Sequence, residues 1–71
     1  MTLRQMREAS ALTQQQVADA SGLTQAAISA LELGKHSSPR LDTLQTLAAA
    51  YGVTLDELVA AVRETVAEAA A

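Results

Sequence analysis

Thr13-Gln-Gln-Gln-Val-Ala-Asp-Ala-Ser-Gly22-Leu-Thr24-Gln-Ala-Ala-Ile28-Ser-Ala-Leu-Glu-Leu-Gly34 is the stretch that decides the fold. Thr13 with Gln16 three residues later has the form of a capping box, in which side chains and backbone amides at a helix start satisfy one another. Val17 and Ala18, with Ala20 beside them, supply the apolar side of the short helix that follows. Ser21-Gly22 stops it, because glycine takes the left-handed turn that ends a helix without a Cβ penalty. Thr24 is then a natural N-cap for a second short helix, with Ala27, Ile28 and Leu31 on one face and Gly34 as its stop. Two helices this short, joined by so tight a turn, cannot bury their apolar faces alone, so flanking helices must complete a core.

Those flanking helices are legible on either side. Thr2-x-x-Gln5 is another capping box, opening a first helix with Leu3 and Met6 inward. Lys35-His-Ser-Ser-Pro39 is a polar connection whose proline restrains the entry to a fourth helix, where Leu41, Leu44, Leu47 and Ala48 have the spacing of a buried face. Gly52 closes that helix. Thr54-x-x-Glu57 caps a fifth, along which Leu55, Leu58, Val59, Val62 and Val66 recur at helical intervals. No alternating strand pattern competes. The expected architecture is all-α, a compact five-helix domain over residues 1–59, with residues 60–71 extending the fifth helix and fraying at the alanine tail.

Composition agrees and sets limits. Seventy-one residues make one domain, and 49% hydrophobic content is enough for a core. With no Phe or Trp and a single Tyr, that core is aliphatic. Cysteine is absent, so neither a disulfide nor a thiolate metal site is available, and His36 has no second histidine to join it. No cofactor is expected. The carboxylates lack a partner set for acid–base chemistry, and nothing marks the chain as an enzyme. No apolar run approaches the roughly 18 residues of a membrane span and no signal peptide opens the chain, so the expected location is the cytoplasm. The net charge of −3 is unevenly placed: residues 1–41 carry +1 and residues 42–71 carry −4. The acid lies in the C-terminal part, where it can face away from a polyanion.

Beyond these local signals, an ordered set of positions carries a family resemblance. Leu3-Arg-Gln-Met-Arg7, Leu12-Thr-Gln-Gln-Gln-Val-Ala18, Gly22-Leu-Thr24, Ile28-Ser-Ala-Leu-Glu32, Gly34-Lys35, Pro39, Leu44-x-x-Leu-Ala48 and Gly52-Val-x-Leu-Asp-Glu-Leu58 are similar to the Cro and phage-repressor (XRE) helix-turn-helix family. The resemblance implies a lambda-repressor-like fold whose third helix enters the major groove of DNA. By position it implies that Gln14 touches a phosphate and braces the recognition helix, and that Thr24 caps that helix beside the backbone. Gln25 is placed to read a base, since a glutamine can bond adenine N6 and N7 together. Ala26 is placed to meet a thymine methyl, and Ser29 to offer a short hydrogen bond. Lys35 and His36 fall in a phosphate-facing loop, and Arg40 near the minor groove. Arg7 and Glu32 fall where relatives pair the first helix with the end of the recognition helix.

The departures matter as well. Ala26, Ala27, Ala30 and Leu33 leave few side chains able to make directional base contacts, so direct readout is expected to be modest. The stripe Val59, Val62 and Val66 can serve the protomer's own core, yet the fifth helix outruns what four short helices are expected to cover, which makes these valines the expected two-fold interface of a homodimer. The functional expectation is a transcriptional regulator, chiefly a repressor occupying a two-fold operator. The alternative is an antitoxin or protein-interaction module that keeps the fold while its partner is a toxin or another regulator.

Overall fold

The computed structural model describes residues 1–36 and 38–71, and it contains five helices in the order α1 (Leu3–Ala9), α2 (Gln14–Ser21), α3 (Gln25–Glu32), α4 (Leu41–Tyr51) and α5 (Leu55–Ala70). Among the described residues there is no strand. All three capping boxes form: Thr2 with Gln5, Thr13 with Gln16 and Thr54 with Glu57. The Thr24 hydroxyl accepts from the Ala27 amide at 3.0 Å, a one-way cap because alanine has nothing to return. Exposed Glu57 has its carboxyl held below the usual carboxylate range, first by the Thr54 backbone amide and then by its hydroxyl.

One helix end was not marked by composition. Helix α1 stops at Ser10, and Ala11 carries the left-handed φ of 58° that a glycine supplies elsewhere. The Leu12 amide returns to the Arg7 carbonyl at 3.3 Å, while Arg7 Nη1 donates to the Leu12 carbonyl at 2.9 Å. Side-chain and backbone bonds together hold a turn that alanine alone disfavours by about 1–2 kcal/mol.

The core collects one face from every helix: Leu3 and Met6, Val17 and Ala18, Ile28 and Leu31, Leu47, Ala48 and Tyr51, then Leu58, Ala61 and Val62. Val17, Ile28, Leu47 and Leu58 are essentially inaccessible, and each contributes about 1.5–3 kcal/mol by leaving water. Ala20, expected inward, is exposed, at the edge of a groove it shares with Gln45 and Ala49 of α4. Leu41, expected to begin the buried stripe of α4, is 59% exposed. That stripe starts one turn later, at Leu44, which packs against the core.

Helix α5 is closely covered: Val62 is 7% exposed and Val66 packs against the core, so part of the valine stripe serves the protomer itself. Helix α1 covers it, through a bond absent from the expected pattern. Thr65, buried to 4% exposure, accepts the Leu3 amide at 2.9 Å and donates to the Ala61 carbonyl at 2.7 Å. The threonine hydroxyl, as acceptor and as donor, and one orphan amide at the start of α1 are thereby satisfied. The N-terminal ammonium of Met1 pairs with Glu64 one residue away. On its other side, α5 meets the end of α3: a Cβ built at Gly34 would lie 2.6 Å from Ala69 Cβ and 3.1 Å from the Thr65 carbonyl oxygen. The last turns of α5 are thus wedged between α1 and the exit of α3. Val59 stays half-buried on the flank of that helix.

Candidate nucleic-acid interface

Helix α3 is anchored on one side by Ile28 and Leu31 and open on the other. Gln25 and Ala26 are exposed in its first turn, Ser29 and Ala30 are half-buried, and Leu33, its C-cap, is 58% exposed. The open face is therefore short and sparse in polar groups: one long amide, one hydroxyl and three apolar side chains. A helix of this kind can enter a groove about 12 Å wide, read adenine through Gln25 and meet thymine methyls through its alanines.

What sets the angle of α3 is a carboxylate. Glu32 Oε2 accepts from Arg7 Nε at 2.6 Å, and Glu32 Oε1 accepts from Arg7 Nη2 at 3.2 Å. The same Oε1 accepts from Gln14 Nε2 at 3.1 Å. One side chain of α3 thereby ties together α1 and α2, with the Arg7 and Glu32 side chains only 13% and 6% exposed. The fork-shaped guanidinium fits a carboxylate with two parallel bonds, which adds direction to attraction. The Glu32 hydrogen bond, more than burial opposes it, raises the Arg7 pKa above its ordinary value. Tyr51 lies beneath this pair, and burial first, then the Glu32 charge, pushes its phenol up to about 12.

The bracing expected of Gln14 is visible in that geometry, and its second amide hydrogen remains for an outside acceptor. Gln14 and Ser29 share one cleft beside α3, lined also by Arg4, Arg7, Glu32 and Leu33. The opposite flank of α3 carries a second cleft, where His36, Pro39, Arg40 and Thr43 face Leu23, Ala27 and Leu31. Lys35 and His36 are exposed in the connection after α3. Arg40, the N-cap of α4, is 84% exposed, with Nη2 resting 3.3 Å from Asp42 Oδ2. So exposed a pair is worth little and leaves the guanidinium free to exchange partners. Gln14, Thr24, Gln25, Ala26, Ser29, Lys35, His36 and Arg40 thus fall on and around one helix, while Val62, expected at a partner surface, is buried in the protomer.

Among the described residues no group of three or more His, Cys, Asp or Glu side chains is arranged to hold a metal ion. Nor is any helix long and apolar enough to cross a membrane.

Comparison with known proteins places this geometry. Residues 3–58 match the helix-turn-helix family model. The chain is 42% identical over 59 residues to an uncharacterized HTH-type transcriptional regulator, RghRB, of Bacillus subtilis (strain 168), a match covering 83% of this chain and 42% of that protein. It is 44% identical over 55 residues to the HTH-type transcriptional regulator PuuR of Escherichia coli (strain K12), covering 78% of this chain and 29% of that one. The chain therefore spans less than half the length of these relatives. No solved structure matches it significantly. With the matched segment running from the first residue of α1 into α5, the chain belongs to the helix-turn-helix family, of the Cro and phage-repressor (XRE) type.

Proposed function

We propose that this chain is a sequence-specific DNA-binding domain of a cytoplasmic transcriptional regulator, a repressor that occupies a two-fold operator as a homodimer. The observation that carries the reading is the exposed first turn of α3. Gln25 stands there on a helix held from behind by the Arg7–Glu32–Gln14 cluster, with an arginine on each flank. Repression follows as the simplest mode, since occupying a promoter needs no further surface. The reading assigns no catalytic step, metal or cofactor to the chain.

A two-fold partner must use what the protomer leaves over. With Val62 committed to the core, the flank of α5 bearing Val59 and the outer edge of Val66 is the apolar surface that remains there. Dimerisation on that flank sets two copies of α3 one helical turn of DNA apart when they face the same side of a duplex.

Selection from a pool of random duplexes, followed by salt titration, tests the reading. A specific binder enriches one sequence, and its affinity falls steeply as salt rises through counterion release. Gln25→Ala then weakens the enriched site more than mixed-sequence DNA, while Lys35→Ala weakens both alike. One observation favours a second reading as a protein-interaction module, with a toxin or another regulator as partner. Leu33, 58% exposed beside Ala26 and Ala30, gives the open face of α3 an apolar end. A pool that enriches no sequence turns the choice to that reading.

A further inference from the structure

We propose that Arg4, on α1, is a phosphate-contact residue that grips the DNA strand on the α1–α2 side of the recognition helix. The inference rests on the DNA-binding reading above and adds a contact that reading does not contain.

A helix inserted in the major groove has a sugar–phosphate strand on each side, and both must be held for its register to be set. On the far flank of α3 the connection to α4 supplies Lys35, His36 and Arg40, all exposed. On the near flank the obvious cation is unavailable. Arg7 is spent on Glu32 in a bidentate pair, with its remaining nitrogen bonded to the Leu12 carbonyl. Gln14 is neutral and gives one amide hydrogen to Glu32. Arg4, one turn earlier on α1, lines the same cleft as Gln14 and Ser29. Its side chain is 71% exposed, and its ion-pair partner is Glu8, 55% exposed, at 3.7 Å on the next turn of α1. A surface pair so open and so long is nearly neutral in free energy, so a phosphate can displace the carboxylate at little cost. Glu68 borders the groove on the other side of Arg4 and opposes phosphate from there. Among the described residues Arg4 is thus the exposed positive charge that lines the cleft of the reading helix on this flank.

The test is the salt dependence of binding by the 71-residue chain to a mixed-sequence duplex and to a duplex enriched by selection. Each phosphate neutralised contributes about −0.9 to the slope of log affinity against log salt. Arg4→Ala is expected to lower affinity several-fold on both duplexes and to make the slope shallower by about one. Arg4→Lys should restore the slope, and Glu8→Gln should tighten both complexes while leaving the slope as it was. Thermal unfolding of Arg4→Ala should match the parent, because the side chain is exposed. An Arg4→Ala slope equal to the parent's overturns the inference and leaves the DNA-binding reading standing. A parent chain that binds neither duplex overturns the reading, and the inference with it.

Discussion

Replacing Gly34 with alanine should cost far more than the same change at Gly22, although both glycines have nearly the same backbone angle. Their φ values are 74° and 75°, so the left-handed penalty for an added Cβ is common to the two, about 1–2 kcal/mol. The surroundings differ. At Gly22 nothing lies within 4 Å of the new carbon, whereas at Gly34 it would stand 2.6 Å from Ala69 Cβ and 3.1 Å from the Thr65 carbonyl oxygen. Carbon atoms in contact settle about 3.5–4.0 Å apart, so α5 must retreat by about 1 Å. An alanine Cβ has no rotamer to move, and the retreat displaces backbone. Overpacking of that kind costs about 1–3 kcal/mol, which puts Gly34→Ala at about 2–5 kcal/mol. In a domain of this size each kcal/mol shifts the midpoint by about 4–8 °C, so the two variants should differ by at least several degrees. Circular dichroism during thermal and urea unfolding measures both, and Gly34→Ala with Ala69→Gly should recover part of the loss. Equal losses at Gly22 and Gly34 would refute the close packing of α5 on the exit of α3.

Two further outcomes follow from the Arg7 cluster and the residue beneath it. Arg7→Ala should cost about 3–5 kcal/mol by stranding a buried carboxylate; Arg7→Met with Glu32→Leu should regain most of that in urea unfolding, yet not the duplex affinity, because Gln14 loses its acceptor. The Tyr51 phenol, whose pKa rises from 10.0 to about 12 on folding, stays protonated in the folded chain where the unfolded chain ionises. Stability is therefore full below about pH 10 and declines as pH rises through about 12. Tyr51→Phe should flatten that decline in urea midpoints, and parallel curves for parent and variant would count against it.

How much of this was readable in advance depends on the range of the signal. Thr2, Thr13, Thr24 and Thr54 announce their helices because a cap and the amides it satisfies lie within three residues. Gly22, Gly34 and Gly52 mark stops for the same reason. Ala11 shows the limit, since its left-handed turn is held by Arg7, whose rotamer is set by Glu32 twenty-five residues on. The candidate site residues could be named as a set because a resemblance orders them; the fold gathers them on and around α3, with Gln14 and Ser29 half-buried and the others exposed. Along the valine stripe only Val62 is buried: periodicity reports that a face is apolar and is silent on what covers it. Thr65 was passed over because a threonine among valines looks tolerated, and its use appears only when α1 presents an amide with no other acceptor. Leu41 follows the helical spacing perfectly, yet spacing carries no information about where a neighbouring helix ends.

The bond from the Leu3 amide to Thr65 joins residues sixty-two apart. Synthesis runs from α1 toward α5, so the reading helix is made before the helix that supports it. Until α5 arrives, the Leu3 amide lacks its Thr65 acceptor, and α1 carries the arginine that pairs with Glu32 on α3. The order of synthesis thus puts the contact that ties the first helix to the fifth after every residue of the proposed interface.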